Sequence, residues 1–471
     1  MKMSSLSIIS PLQKNPLILA RTTFIIFFII VGILFLYLNQ VQPYYFIDEV
    51  FHIPQTLKYC SGKFFEWDSK ITTLPGLYLV ATAILAPFGL CNIICIRCIN
   101  FVTTIVNVYL LFEIIQTTNK TKSRSGIKKP WIQLTSAYAI GLFPPLFFWF
   151  FLFYTDVVSV NMVLLMMLFH AQGHISISVF FGALAILMRQ TNVIWVAFLG
   201  IERILDILEA ENPIPVHTKN TPNSVIILWR NLIKQIRQGP WSFSKFIFRI
   251  FISIFPYISI GLGFLAFLIW NKGIVVGDRT AHIPTIHIPQ IFYFSVFTFC
   301  FAWPYMLVHW KEYLKWLRNR WIVASSFCFL MIIIIHFNTL VHPYVLADNR
   351  HYTFYVWNKF VGRYKLLRYL LIPIYGFTIY SFLSCINHLR FASQMTYIAG
   401  VSMVLIPQLL LEPRYYVIPY IIFRLNIQRI KKWQIIAELL TTLIINFLQF
   451  FIFINKTFYW DDQEHPQRIS W

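Results

Sequence analysis

The sequence predicts an all-α, polytopic transmembrane protein, and three observations carry that prediction. Of its 471 residues, 58% are hydrophobic and only 12% are charged, against about 45–50% and about 25% in soluble domains. Mean hydropathy is +0.65. The apolar residues also come in long continuous runs rather than alternating at period two. Lipid forces the backbone to satisfy its own hydrogen bonds, which leaves helices or closed barrels, and runs of this length select helices.

A crossing needs about 20 apolar residues. In chain order, spans are predicted at 22–38, 74–90, 92–115, 131–153, 157–170, 175–199, 246–270, 291–309, 321–340, 369–386, 395–411 and 435–454. Residues 415–423 form a shorter run, a half-span or a re-entrant piece. The expectation is about 12 spans, with 10 to 14 as the range that boundary error allows. Residues 1–20 do not read as a removable signal peptide, because the apolar run from Thr22 is long and lacks a small-residue cleavage site. They read as a signal anchor with Lys2, Lys14 and Arg21 inside.

Lys and Arg outnumber Asp and Glu by 39 to 18, for a net charge of +21. In a membrane protein this excess is expected on cytoplasmic loops facing anionic lipid, so no nucleic-acid partner is inferred. The loops sort accordingly. Residues 120–129, 219–245, 311–320 and 424–432 are basic and read as cytoplasmic. Residues 41–73, 271–289 and 341–352 mix acids, His, Tyr and Pro and read as the opposite face. One conflict follows. Two spans within 74–115 would put 120–129 on the same side as 41–73, so one of them is re-entrant or the charge rule fails there. Pro144-Pro145 is a further place where a span could split, and Asn119-Lys120-Thr121 is a glycosylation sequon that would report the side. The stretch 202–245 shows no apolar pattern of a folded core and reads as a cytoplasmic linker loop. With no fixed-period repeat and no Gly-rich phosphate loop, residues 1–471 read as one integral membrane domain. The seven Cys have no metal-ligand spacing, and Cys91, Cys95 and Cys98 read as small buried thiols.

The densest chemistry lies in the first polar loop, Asp48-Glu49-Val50-Phe51-His52-Ile53-Pro54-Gln55 onward. On a helix, Asp48, His52, Gln55 and Tyr59 fall within about 60° of one another, opposite Val50, Ile53, Pro54 and Leu57. This is an amphipathic surface helix with one hydrogen-bonding stripe, although Pro54 calls for a kink or a late start. A solvated helix capped by Asp48 is the plain alternative. The concentration of acid, imidazole, amide and aromatic groups instead fits a polyhydroxylated ligand, whose sugar faces stack on rings and whose hydroxyls bond acids and amides.

These residues carry a resemblance. Asp48-Glu49, Phe51-His52, Pro54-Gln55, Tyr59-Cys60-x-Gly62 and Trp67-Asp68-x-Lys70-Ile71-Thr72-Thr73-x-Pro75-Gly76-Leu77-Tyr78 resemble the dolichyl-phosphate-glucose-dependent α-1,2-glucosyltransferase family. So do Met188-Arg189-Gln190-Thr191-Asn192-Val193-Ile194-Trp195 and the long run from His342-Pro343-Tyr344 through Asp348-Asn349-Arg350-His351-Tyr352 to Trp357. Glu412-x-Arg414-Tyr415 and Gln467-Arg468-x-x-Trp471 are weaker echoes. The resemblance implies a GT-C type glycosyltransferase in the endoplasmic reticulum membrane, with its active site in lumenal loops. Its donor would be dolichyl phosphate glucose. Its acceptor would be a diglucosylated high-mannose oligosaccharide on dolichyl diphosphate, and the configuration would invert. Another dolichyl-phosphate-sugar transferase, or a non-catalytic transporter or channel-associated protein, remains the alternative.

Inversion in one displacement needs one base for the acceptor hydroxyl. A lipid phosphate leaves without a general acid, so one carboxylate suffices and cations should hold the phosphate. Asp48 heads the polar stripe and is the preferred base, with Glu49, pointing about 100° away, as the alternative. His52 could orient the acid or the sugar, and Gln55, Tyr59, Trp67 and Lys70 complete the expected binding loop. Asp68 is a secondary candidate whose plainer role is an ion pair with Lys70 or a turn. Arg189 lies within an apolar run, where a cation marks a partner or a pathway; a substrate phosphate and an intramembrane carboxylate are equal readings, with Asn192 one turn away. In the third polar loop Arg350 can fork onto phosphate, with His342, Asp348, His351 and Tyr352 as sugar-contacting neighbours. Arg414 is a further phosphate candidate unless Glu412 neutralises it. A monophosphate donor calls for no metal and no cofactor, and Asp461-Asp462 read as a solvated tail.

Overall fold

The computed structural model describes residues 16–122, 130–215, 217–279, 284–461 and 463–471. Almost all regular structure there is helical, apart from a two-stranded antiparallel ribbon, Thr457–Phe458 with Gln467–Arg468. Among the described residues, seven helices are long and apolar enough to cross a membrane: Arg21–Val41, Ile93–Thr118, Pro240–Asn271, Pro289–Asn319, Trp321–Asn338, Leu367–Ile386 and Lys432–Asn455. Pro240–Asn271 shows how lipid reshapes the usual pattern. Phe248, Phe251, Ile252, Phe255, Leu262, Leu265 and Ile269 are all exposed, as side chains facing hydrocarbon should be.

Three expected spans are broken, each for a local reason. The run 131–153 divides into Pro130–Gly141 and Pro144–Phe151, bent by 59°. Phe143 precedes two prolines, which bar it from helical geometry, and it adopts φ −50°, ψ 116°. Asn446 Nδ2 then donates to the freed Leu142 carbonyl at 2.7 Å. The run 175–199 is a hairpin of Ile175–Met188 and Val193–Glu211, turning at an extended Arg189. Ser178 and Gly200 both meet Tyr257, and Gly182 faces Val196, so the two helices run antiparallel. Arg189 therefore sits at a turn and not midway along a span, and Asn192 N–H donates to the Arg189 carbonyl across the turn at 3.0 Å.

The run 74–90 becomes the short helix Gly76–Leu85 with a 3-10 extension, Ala86–Phe88. At 1.5 Å per residue these 13 residues reach about 20 Å, short of a hydrocarbon core of about 30 Å. Cys91, just beyond, is disulfide-bonded to Cys60 in the first polar loop. Both ends of the short helix thus stay beside that loop, and at this length it is not among the helices long and apolar enough to cross. This corrects the reading of Cys91 as a buried thiol. If 74–90 does not cross, the sidedness conflict does not arise, because Ile93–Lys122 alone then separates the first loop from 120–129. Residues 1–15, 123–129 and 462, on which parts of the expected anchor, basic loop and acidic tail fall, lie outside the described residues.

The expected linker 202–245 is also largely helical. Asn223–Arg237 buries Ser224, Leu228, Asn231 and Gln235 while exposing Val225, Ile226, Trp229 and Ile236. Its apolar face is turned outward, so it shows no core-facing pattern. The short run near 415–423 is the helix Val417–Asn426, buried over most of its length against the aromatic segment 143–154. Phe143 stacks on Tyr420 at 4.2 Å.

The polar loops expected on one face do meet. Asp278 N–H donates to Ser69 O at 2.6 Å and Val276 N–H to Thr72 O at 3.2 Å. The approach depends on Gly277, at φ 74°, because a Cβ there would run into the Ser69 and Ile71 carbonyls.

Candidate active site

The site begins with a sharp turn. Ile47 has φ 49°, a costly conformation for a β-branched residue, and it swings the chain so that Asp48 opens the helix Glu49–Cys60. The turn is clamped by the residue that precedes the helix Thr155–Ala171: Tyr154 Oη donates to Phe46 O at 2.9 Å and accepts from Asp48 N–H at 3.2 Å. The helix continues through Pro54.

The two adjacent carboxylates go to different places. Glu49 is fully buried. Its oxygens accept from Arg97 Nε at 2.9 Å, Arg97 Nη2 at 2.5 Å, Phe46 N–H at 3.0 Å and Phe153 N–H at 2.7 Å. Arg97 also donates to Asn39 Oδ1 and to the Gln42 and Tyr44 carbonyls. Asp48 keeps 32% of its side chain exposed, and its Oδ2 lies 2.7 Å from Arg414 Nη1. Of the two, only Asp48 faces open space.

Arg414 is the hub of a charged cluster. It pairs with Asp48, with Glu412, and at 3.7 Å with Asp156 Oδ2. Its guanidinium lies over the rings of Trp149 and Tyr154. Asp156 in turn holds Arg189 Nη1 at 2.8 Å, and Arg189 lies over Tyr415. The chain of charges therefore reads Asp48, Arg414, Asp156, Arg189, drawn from four separate segments. Burial pushes the Asp48 carboxyl up. The charge of Arg414, then of His52, the Arg414 hydrogen bond and the charge of His351 outweigh it and hold the group at about 2. Burial pushes His52 down to about 4 despite the pull of Asp48, and its Nδ1 lies 2.7 Å from Tyr78 Oη.

Beside this cluster is a cavity of about 460 Å³. Its polar end is lined by Asp156, Ser159, Arg189, Asn192, His342 and Arg414. The rest is mostly apolar, with Ile194, Trp195, Phe264, Met403, Val404 and Ile418, interrupted by Thr72, Thr73, Gln190, Thr191 and Gln408. Asp156 Oδ2 and Asn192 Oδ1 are buried without a hydrogen-bond partner among the described residues. Buried polar atoms are rarely left so, and these two line the cavity. A chamber with guanidiniums at one end and hydrocarbon along the other suits an anionic head on a long apolar tail.

The remaining expected residues divide. Asn192 Nδ2 donates to Ser159 Oγ and Ala185 O, both at 2.7 Å. His342 caps its own short helix by accepting from Tyr344 N–H. Gln55 and Tyr59 turn away from the cluster. Gln55 staples the loop by donating to Glu66 O and accepting from Asp68 N–H, and Tyr59 packs on Phe64 and Tyr78. Trp67 also packs on Tyr78. Asp68 Oδ1 accepts from Lys70 N–H, the turn rather than the ion pair, and Lys70 lies over Phe51. Arg350 is taken up by Asp348, at 2.9 and 2.7 Å, and stacks on Trp460. That fork does not open onto the cavity, so the phosphate role expected of Arg350 has no geometric support. His351 and Tyr352 lie against the chain near Ser470 and Trp471. Asp156 was missed in the sequence, although a lone acid opening the apolar helix Thr155–Ala171 is the signal that a buried charge leaves.

Comparison with known proteins bears on what this arrangement does. The sequence profile of the DIE2/ALG10 family matches residues 42–425. A Drosophila melanogaster protein named Dol-P-Glc:Glc(2)Man(9)GlcNAc(2)-PP-Dol alpha-1,2-glucosyltransferase is 36% identical over 444 residues, spanning 93% of this chain and 96% of its own. A Homo sapiens protein of the same name is 35% identical over 448 residues, spanning 91% and 93%. An Arabidopsis thaliana counterpart is 28% identical over 504 residues, spanning 92% and 96%. No solved structure matches the chain.

Proposed function

This chain belongs to the DIE2/ALG10 family, and from that premise we propose that it transfers glucose from dolichyl phosphate glucose to a diglucosylated dolichyl-diphosphate oligosaccharide. The new linkage is the terminal α-1,2 glucose, and configuration inverts. The observation that carries the reading is the cavity that holds Arg189 and Arg414 in its charged part and whose remaining wall is mostly apolar. It has the form of a site for the phosphate and the first isoprenoid units of a lipid donor. Arg414 joins that site directly to Asp48.

In this reading Asp48 takes the proton from the acceptor 2-hydroxyl as that oxygen attacks the anomeric carbon, while the lipid phosphate leaves. Arg189 and Arg414 hold the phosphate and take up its developing charge. The phosphate competes with Asp48 and Asp156 for these guanidiniums, so donor binding loosens the Arg414 hold and makes Asp48 a stronger base. A monophosphate donor needs no metal here, and activity in excess chelator should persist.

We place the loops at 41–73, 271–289, 341–352 and the segment after Asn455 on the lumenal side of the endoplasmic reticulum membrane. The Cys60–Cys91 bridge supports this, since disulfides persist in oxidising compartments. A GT-C type path with 10 to 14 crossings would add to the seven long helices the bent pair Pro130–Gly141 and Pro144–Phe151 and the shorter apolar helices Thr155–Ala171, Ile175–Met188 and Phe391–Leu405, and would keep the basic loops together on the other side. Asn119, at the far end of Ile93–Lys122, should therefore carry no glycan. The relatives do not favour the transporter alternative. The direct test is transfer by purified protein from dolichyl phosphate glucose to the diglucosylated lipid-linked acceptor, with linkage analysis. One added α-1,2 glucose is expected; transfer of mannose, or none, would overturn the reading.

A further inference from the structure

The proposed topology gathers the basic loops on one face, as the short-loop charge rule expects. One stretch breaks that rule. Residues 353–371 carry Lys359, Arg363, Lys365 and Arg368, and no Asp or Glu occurs between Asp348 and Glu412. Among the described residues, no helix long enough to cross separates this stretch from the third polar loop, since the next one is Leu367–Ile386. It therefore shares the lumenal placement proposed for 341–352. The first polar loop, by contrast, sets four acids against three lysines. Four cations that neither topology nor a neighbouring acid calls for need an anion from elsewhere.

The patch is built around Trp357, whose ring is buried. Trp357–Val361 is one turn of π-helix, a rare form frequent at functional sites. Gly362 N–H closes the turn by donating to Trp357 O at 2.7 Å, and a Cβ at Gly362 would press at 3.0 Å on the indole and on that carbonyl. Arg368 comes back over the indole, 5.4 Å from its centre, and its Nε donates to Val361 O at 2.9 Å. The guanidinium is thereby held in place with no carboxylate to neutralise it. Lys359, Arg363 and Lys365 are exposed, and none of the four cations is in an ion pair among the described residues. Phe360, Tyr364, Leu366 and Leu370 are exposed between them. Cations interleaved with exposed apolar side chains, at the head of a crossing helix, form a surface for an anionic head group whose tail continues into hydrocarbon. The patch also adjoins the site: His342 and Pro343 line the cavity, and the helix Pro343–Ala347 packs on both Tyr352–Val356 and Trp357–Val361.

We propose that Lys359, Arg363, Lys365 and Arg368 hold the diphosphate of the lipid-linked acceptor at the membrane surface. This rests on the reading of the chain as a glucosyltransferase with its site on the lumenal face. The acceptor presents its reacting glucose at the far end of an oligosaccharide, so its diphosphate does not share the cavity at Arg189 and Arg414 with the donor phosphate. It needs an anchor of its own. A diphosphate also carries more charge than the donor monophosphate. That matches four unneutralised cations here, against two in the cavity that are already shared with Asp48, Asp156 and Glu412.

The test uses the full chain in phosphatidylcholine nanodiscs and the double variant Arg363→Gln, Lys365→Gln, whose side chains are exposed, so the fold should be kept. Dolichyl diphosphate should bind the variant about tenfold more weakly than wild type, while dolichyl phosphate binds within about twofold. In the transfer assay above, the acceptor KM should rise about tenfold with kcat kept. The same diglucosylated oligosaccharide released from its lipid should be used equally by both proteins. Unchanged binding of dolichyl diphosphate, or equal losses on the lipid-linked and released acceptors, would overturn the proposal. So would a loss seen only when phosphatidylinositol is added to the discs, since the patch would then belong to the bilayer. A wild-type protein that transfers no glucose fails the underlying reading, and the binding comparison then decides the patch by itself.

Discussion

Asp48 and Glu49 sit one peptide apart, and each meets an arginine brought in from elsewhere in the chain. Glu49 is sealed: two of its bonds come from Arg97 and two from backbone N–H groups, and none of its surface reaches solvent. Asp48 shares Arg414 with Glu412 and Asp156 and remains a third exposed. The difference lies in saturation, not in the strength of one contact. A carboxylate with every lone pair occupied by rigid donors can only hold the structure. A carboxylate whose arginine is shared and lines a cavity can exchange that partner for a substrate.

The comparison can be broken most directly at Asp48. Asp48→Asn should lower kcat by about 10³-fold, within the range for loss of a general base, while the melting temperature stays near wild type. Substantial turnover would move the role to Asp156. Glu49→Gln should show the opposite profile. Removing one partner of a buried pair costs about 3–5 kcal/mol, so the folded yield and melting temperature should fall, and the surviving molecules should still transfer glucose. An active-site loss without a stability loss would erase the distinction drawn between the two acids.

A finer test uses the titration of Asp48. Arg414 helps hold that carboxyl at about 2, so in the wild type it stays ionised throughout ordinary assay conditions and contributes no acid limb above about pH 3. Arg414→Ala removes the strongest depressing charge and leaves burial acting upward. The pKa should rise, and an acid limb should enter the pH profile of kcat/KM from below. Activity should also fall about 10²-fold from loss of phosphate stabilisation. A profile unchanged in shape would mean that Arg414 and Asp48 are not coupled in the working enzyme.

Much of the fold could be read from the sequence because hydrocarbon demands long apolar runs, and those runs are conspicuous. What the runs hid is where the chain turns inside them. Pro144-Pro145 announced its break through the geometry it imposes on Phe143. The hairpin at Arg189 has no Pro or Gly to mark it, and its turn depends on Asp156 and on Asn192 bonding back to Ala185 O. The first loop was legible as a cluster of polar types. Which of its carboxylates is sealed was not, since Arg97 lies 48 residues beyond Glu49. The hydrogen-bonding stripe was read too broadly for a similar reason: Gln55 and Tyr59 find partners in the returning loop at Phe64–Asp68 that no helical periodicity reveals.

The Cys60–Cys91 bridge also has a consequence in time. The chain is made from its amino end, so Cys60 must wait through 31 further residues before its partner exists. On the proposed lumenal placement, the loop that carries Asp48 cannot be latched until the helix Gly76–Leu85 has been laid down beside it, and the oxidant that closes the bridge must be waiting on that side of the membrane. A chain inserted upside down would present both sulfurs to reductant and leave the loop unlatched. On that placement the bridge records, in a covalent bond, that this part of the protein was threaded the right way round.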